Sequence, residues 1–356
     1  MTDICNTGSV IATQDDTLQP LVDSIAQVIQ EARSHLAKQI NSTMTKAYWQ
    51  IGKYIVEYEQ GGQERAEYGS GTIKELSRRL TAMYGRGYSR PNLLNMRKFY
   101  LMYPKSQTVS DIFTWSHICL LMQAEDELER SFYEKECIAQ KWDVRTLQRQ
   151  MKSALFLRLA ASKDKAGILA LASEGIQIQK PEDVVHDPLT LEFLNIPEDY
   201  RYEESELEQK IIDNLQLFLL EMGKGLTFVK RQYHMSINNR HFRCDLVFYH
   251  RILKCFVLVD LKRGEVQHED IGQMNMYLGY FALEMNMPDD NPPIGIILSH
   301  YKDDLMVEYA TYGMNTNLFV QRYELYLPDK EQLRAIVNRT IEAEEVKKDD
   351  GGGDAM

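Results

Sequence analysis

The chain has 356 residues, 44% of them hydrophobic and 26% charged, which is ordinary for a globular protein and long enough for two domains with separate cores. The net charge of −11 argues against a surface uniformly suited to nucleic acid, and no apolar run nears the ~20 residues of a membrane span. Five cysteines form no CxxC pair and no zinc spacing, and the first residues lack a basic leader, so free thiols in a reducing cytoplasm are expected.

In chain order, residues 1–19 are polar and expected to be disordered, and residues 20–160 read as an all-α N-terminal domain. Leu21, Ile25, Val28, Ile29, Ala32, Leu36 and Ile40 recur at helical spacing, Tyr48, Ile51, Ile55 and Tyr58 continue it, and Gly61-Gly62 stop it. A second helix is expected from about Thr72 to Tyr84, ending at Gly85-Arg86-Gly87. Ser89 then caps a third, with Pro91 in its first turn and Pro104 closing it. This helix, short turn and helix over 72–104 match a helix-turn-helix whose second member presents Arg90, Asn92, Asn95 and Arg97. Any three packed helices make such a corner, so a scaffold, a dimer surface or a protein-docking face is the competing reading. Charge is compatible with nucleic acid or with a solvated helix face, because Gly71–Lys105 carries eight basic residues, including Arg78, Arg79, Arg86, Arg90, Arg97 and Lys98, against Glu75 alone. Further amphipathic helices are expected at about Trp115–Ala124, Glu127–Lys141 and Val144–Leu159.

Residues 161–202 read as a connector, punctuated by Pro181, Pro188 and Pro197. From Glu182 to Glu208 ten acids face Arg201 alone, so the chain is polarised in charge. A second domain is expected over 203–330 with the order α-β-β-β-α-β. Helix Glu204–Met222 opens it, and strands follow at about Thr227–Ile237, His241–Tyr249 and Lys254–Leu261, the first two joined by an Asn238-Asn239 hairpin turn. A helix at about Glu269–Glu284, the apolar strand around Ile294–Leu298, a helix near Asp303–Thr311 and a last strand at Leu318–Tyr323 complete it. Residues 331–356 read as a C-terminal helix and an acidic tail, disordered from Glu342.

The chemistry concentrates in Phe256-Val257-Leu258-Val259-Asp260-Leu261-Lys262, a buried strand that ends in two charges. Side chains alternate along a strand, so Asp260 and Lys262 project to one side, about 6.6 Å apart along the chain. Asp245 lies within the preceding strand. Two carboxylates and a lysine on neighbouring strands can hold a divalent cation and act on a water beside it. Magnesium is typically held by one or two carboxylates plus waters, which Asp245 and Asp260 fit, with a main-chain carbonyl near Leu261 as a further ligand.

This arrangement resembles the PD-(D/E)xK nuclease superfamily. Tyr54-Ile55-Val56-Glu57, Gly69-Ser70-Gly71, Leu93-Leu94-Asn95-Met96-Arg97, Trp115-Ser116-His117, Gly223-Lys224-Gly225, Gln273-Met274-Asn275-Met276-Tyr277 and Val307-Glu308-Tyr309-Ala310 narrow the resemblance to the bacterial YhcG-like family, over about Leu21 to Leu327. Cys244 stands where the superfamily name writes proline, and Asp260 is the acidic member of the second motif. The resemblance implies a restriction-endonuclease-like α/β domain with a mixed sheet flanked by helices, a Mg²⁺ or Mn²⁺ cofactor, a DNA substrate, and Lys262 beside the attacking water. It also implies a glutamate from the preceding helix at the metal, Glu208 first and Glu206 second, and a glutamine facing the site. Gln273, in the Q-x-x-x-Y word of the Holliday-junction-resolvase-like branch, fits that last place.

An Asp-x-Lys word alone is common, and the rival reading is a plain Asp260–Lys262 salt bridge with Asp245 capping a turn. No P-loop, GxSxG or HExxH supports another enzyme class, and the eight histidines show no ligand spacing. The sequence therefore points to a metal-dependent endonuclease whose N-terminal domain selects substrate or partner. The alternatives are a non-cleaving adaptor subunit and a dimeric junction resolvase.

Overall fold

The computed structural model of the chain describes residues 15–60, 69–105, 112–124, 126–186, 188–197, 202–314 and 317–350. They form two units, Met1–Gln123 and Ala124–Met356. The expected disorder of residues 1–14 and 351–356 lies outside the described residues. No described helix is long and apolar enough to cross a membrane.

The first unit is helical: α1 (Asp15–Gln60), α2 (Gly69–Tyr84), a 3-10 turn (Arg86–Tyr88), α3 (Arg90–Met102) and α4 (Trp115–Leu121). Helix α1 starts at Asp15, inside the stretch expected to be disordered. Ile55, Ile73, Leu93 and Met96 form its small core, with Tyr48, Ile51, Leu76, Leu80, Tyr88 and Trp115 around them. Helices α1 and α3 nearly touch at Gly52, where a Cβ would stand 2.0 Å from the Met96 carbonyl oxygen. Two indoles tie the helices polar-end first: Trp49 Nε1 donates to the Tyr103 carbonyl at 2.8 Å and Trp115 Nε1 to Asn92 Oδ1 at 3.0 Å.

The second unit begins with α5 (Glu127–Gln140), α6 (Val144–Lys152), α7 (Leu155–Ala161) and α8 (Lys165–Glu174). The unit boundary at 123/124 thus falls before helices that the sequence pattern groups with the N-terminal domain. The stretch read as a connector also contributes a strand, β1 (Leu189–Thr190), which pairs in parallel with β6. Two residues are too short to show alternation. What holds them is tertiary: Leu191 N donates to the Glu324 carbonyl at 2.7 Å, and Thr190 N donates to the buried Glu221 carboxylate at 2.9 Å. Glu221 in turn pairs with Arg158 and Arg149.

Helix α9 (Glu204–Asp213) and helix α10 (Leu215–Met222) replace the single helix expected there. Asn214 interrupts it by leaving helical geometry, with φ −117° and ψ 30°, while its backbone N–H and side-chain amide both donate to the Lys210 carbonyl, at 3.1 and 2.9 Å. Strands β2 (Leu226–Ile237), β3 (Arg240–His250), β4 (Cys255–Glu265), β5 (Ile294–Tyr301) and β6 (Asn317–Glu324) follow, with α11 (His268–Tyr280) and α12 (Asp304–Thr311) between them. A π-helical turn, Phe281–Met285, closes α11. The sheet order is β1-β6-β5-β4-β3-β2, antiparallel from β2 to β4 and parallel beyond. Asn238 and Asn239 both adopt positive φ, 47° and 62°, the hairpin geometry that Asn favours. β4 runs past the charged pair to Glu265 because β5 stays alongside, with Lys262 opposite Ser299 and Glu265 opposite Tyr301. Asp260 and Lys262 therefore sit mid-strand, not at its end.

Helix α13 (Lys330–Asp350) extends beyond Glu342, where disorder was expected, because Glu, Ala and Lys are good helix formers. Helix α11 packs on the sheet through Ile271, Met274, Tyr277 and Leu278, against Val247, Leu258 and Ile297. Gly295 allows the close approach, since a Cβ there would stand 2.8 Å from Met274 Cγ and 3.2 Å from Leu278 Cδ1. Gly295→Ala is therefore expected to cost about 1–3 kcal/mol in denaturant unfolding through overpacking. An unchanged midpoint would mean that Met274 simply swings aside.

Candidate active site

The ladder between β3 and β4 runs from the His250–Cys255 pair to the Leu246–Val259 pair and there stops, while β3 stays paired with β2. At this parting the Asp245 side chain reaches β4, where its Oδ2 accepts the Leu261 N–H at 2.8 Å. Asp260 lies one residue back on β4 and is 4% exposed. Its Oδ2 is 3.1 Å from Lys262 Nζ, which also lies 3.3 Å from Asp270 Oδ1. Asp270 belongs to the first turn of α11, where its other oxygen accepts the Gln267 N–H at 2.8 Å.

On the other side of Asp245 stands Gln232 of β2. Its Nε2 donates to Asp245 Oδ1 at 3.0 Å and to Glu208 Oε2 at 2.6 Å, so one amide nitrogen bridges two carboxylates. Gln232 reaches this position with φ of 46°, a left-handed conformation unusual for a non-glycine residue in a strand. Glu208, buried on α9, also receives Arg231 Nε at 2.9 Å. Glu206 is differently employed: it caps its own helix by accepting the Glu203 N–H at 3.1 Å. Gln273 donates its amide to the Tyr277 hydroxyl, which donates to the Arg243 carbonyl at 2.9 Å. Tyr277 is wholly buried, so Gln273 is placed by a fixed partner.

The structure thus brings Asp245, Asp260, Lys262 and Glu208 together, with the Gln273–Tyr277 pair on the adjoining helix. Gln232, Arg231 and Asp270 were not singled out by the sequence. Only Asp270 carried a signal, since it occupies the capping position of the helix that follows the lysine strand.

The electrostatics are those of crowded carboxylates. Burial pushes the Asp245 carboxyl up to about 7, and the neighbouring Asp260 and Glu208 charges add to the rise against the Leu261 and Gln232 donors. Asp260 is raised by burial, with Lys262 pulling it back. Burial would lower Lys262, but Asp260 and Asp270 outweigh it and hold the ammonium firmly protonated. The Tyr277 hydroxyl is pushed up to about 12, first by burial and further by Asp260. Four carboxylates, Glu208, Asp245, Asp260 and Asp270, stand against Lys262 and Arg231, so the cluster carries excess negative charge.

A divalent cation fits this surplus. Among the described residues no three Asp, Glu, His or Cys side chains gather tightly enough to enclose an ion alone. Hard cations such as magnesium need no such cage, because two carboxylates, a main-chain oxygen and waters suffice. Gln232 Nε2 already occupies a point between Glu208 and Asp245 where a positive group is favoured.

The basic segment of the first unit looks different in three dimensions. Arg78 and Arg79 both bind Glu75, at 2.7 Å each, and their hydrogen bonds hold its carboxyl down at about 2. Arg97 pairs with Glu59 at 2.7 Å, and Lys98 donates to the Met122 carbonyl. Arg86 and Arg90, flanking the turn between α2 and α3, are exposed and form no ion pair with a described residue. Two carboxylates, Glu75 and Glu59, thus answer three of the segment's eight basic side chains, and the segment stays basic.

Two family models match the chain: the DUF1016 N-terminal domain over residues 24–158 and the YhcG PDDEXK nuclease domain over residues 182–338. The protein named "Putative nuclease YhcG" of Escherichia coli (strain K12) is 36% identical over 354 residues, covering 90% of this chain and 94% of its own length. Among solved structures, a repair endonuclease from Pyrococcus abyssi matches 36% of this chain and 50% of its own at 18% identity and a TM-score of 0.27. EndoMS in apo form matches 37% and 49% at 14% identity and a TM-score of 0.24.

Proposed function

The chain belongs to the YhcG nuclease family, and on that premise we propose that it is a divalent-metal-dependent endonuclease acting on DNA, with its N-terminal unit selecting the substrate. The observation that carries this reading is the gathering of Asp245, Asp260 and Lys262 where β3 parts from β4, with Glu208 bridged to Asp245 through Gln232. A cluster with surplus negative charge repels a phosphodiester, so a cation is needed before substrate can approach.

Asp245 and Asp260 would hold that cation, Mg²⁺ or Mn²⁺, with Glu208 behind them. When bound, it polarises the phosphoryl oxygen and lowers the pKa of a bound water. The chain's own contribution is placement. Lys262, fixed by Asp260 and Asp270, presents a permanent positive charge where negative charge develops on the phosphate. Gln273, aligned by Tyr277, supplies an amide to orient water or phosphate. Incubating the purified protein with linear, branched and single-stranded DNA, with Mg²⁺, Mn²⁺ or EDTA, tests the reading. Cleavage is expected with either metal and none with EDTA. Failure to cut any substrate with metal would leave a binding subunit that keeps the fold.

If the N-terminal unit binds DNA, Arg86 and Arg90 are the exposed cations at the turn between α2 and α3. Changing both to Ala is expected to lower the slope of log affinity against log salt by roughly 2 units on duplex DNA. The Arg78→Ala and Arg79→Ala changes are expected to do less, since Glu75 already answers those charges. Fluorescence anisotropy across a salt series reads this directly. An unchanged slope in the Arg86/Arg90 variant would make the α2–α3 corner a structural or protein-docking element.

A further inference from the structure

Helix α1 is 46 residues long, yet only its second half is packed. Its core contacts begin near Tyr48 and Ile51. Before that, Leu18, Leu21, Val22, Ile25, Val28, Ile29, Leu36 and Ile40 are each between 47% and 65% exposed. At 3.6 residues per turn these eight lie within an arc of about 120°, so they form one stripe rather than a scatter. The stripe spans three heptads, and the helix from residue 18 to 43 is about 39 Å long. A helix this apolar along one face is expected to bury that face against something.

We propose that this stripe is the dimerisation surface, and that its occupant is the same stripe of a second copy running antiparallel. The first argument is self-complementarity. In one antiparallel register Leu21 stands opposite Ile40, Ile25 opposite Leu36, and Ile29 opposite Ala32, so one helix face closes on itself as a two-fold axis requires. The second argument is charge. The first part of the helix carries Asp15, Asp16 and Asp23 with no basic residue, whereas the part from Ile29 to Lys46 carries Arg33, Lys38 and Lys46 against Glu31. A parallel pair would align acid with acid and base with base. An antiparallel pair sets the acidic half of each copy beside the basic half of the other. The proposal is independent of what the C-terminal unit cuts, and it places two such units in each assembly.

Sedimentation equilibrium of the full chain at micromolar concentration is expected to give twice the chain mass. Ile25→Asp combined with Leu36→Asp is expected to return the mass to that of one chain. A wild-type chain that stays monomeric at tens of micromolar overturns the proposal. Orientation is tested separately by a short bis-maleimide linker in a Cys5→Ser/Cys119→Ser background. Ile25→Cys and Leu36→Cys in one chain are expected to cross-link to a covalent dimer. Each alone is expected not to, because like positions lie 11 residues, about 16 Å, apart along the antiparallel pair. Efficient cross-linking by either single cysteine would show parallel helices and overturn the assigned orientation.

Discussion

Asp260→Asn is expected to abolish DNA cleavage while leaving DNA affinity and folding close to those of the wild type. Asn preserves the shape of Asp and removes the charge that answers both Lys262 and a bound cation. The expected fall in turnover is at least ~10²–10³-fold, the scale for losing one transition-state stabilising group. Lys262→Ala is expected to match it in turnover and to differ in mechanism. It removes the positive charge 3.1 Å from Asp260 and 3.3 Å from Asp270, leaving two carboxylates to be neutralised by protons or extra cation. Single-turnover cleavage beside anisotropy-measured binding separates chemistry from affinity. Wild-type cleavage by both variants would remove the nuclease assignment of this cluster and leave the adaptor reading.

What the sequence discloses about this site follows from burial and alternation. The run Cys255–Val259 is apolar enough to declare a two-faced buried strand, so charges at 260 and 262 stand out against it. Asp245 stands out for the same reason between Cys244 and Leu246, both buried. Gln232 could not be found this way. It lies in a strand of mixed polarity, and its importance comes from a left-handed backbone that aims one amide at carboxylates 24 and 13 residues away. Strand β1 is invisible for a different reason, since its two residues are held by the Glu324 carbonyl and the Glu221 carboxylate, partners distant in sequence.

The basic segment shows what a count along the chain leaves out. Counting charges over 71–105 cannot see Glu59, 38 residues before Arg97, or the use of Lys98 to bind a main-chain carbonyl. The break at Asn214 escapes notice because apolar spacing continues through it from Leu207 and Ile211 to Phe218. Periodicity reports which face is buried. It says nothing of a residue whose backbone leaves helical geometry, as Asn214 does at φ −117° and ψ 30°.

Asp245→Asn is expected to abolish cleavage and yet to stabilise the metal-free protein at pH 8. The native carboxyl titrates at about 7, pushed up by burial and by Asp260 and Glu208, whereas an unfolded aspartate titrates near 3.9. Below about pH 4 both states hold the proton and the shift has no effect. Between pH 4 and 7 the unfolded chain ionises while the native one does not, so wild-type stability falls as pH rises. Above 7 both are ionised and the native state bears the whole penalty, on the order of 4 kcal/mol. Asn escapes that penalty but satisfies only one of the two donors, Leu261 N–H and Gln232 Nε2, at a cost of about 1–3 kcal/mol. The balance favours the variant at pH 8 and the wild type slightly at pH 5. Urea unfolding in EDTA at the two pH values reads both signs. Adding Mg²⁺ at pH 8 should then raise the wild-type midpoint more than that of the variant, since ligand binding to the native state adds stability. A variant less stable than wild type at pH 8 in EDTA would mean that the carboxylates are not in conflict and do not await a cation.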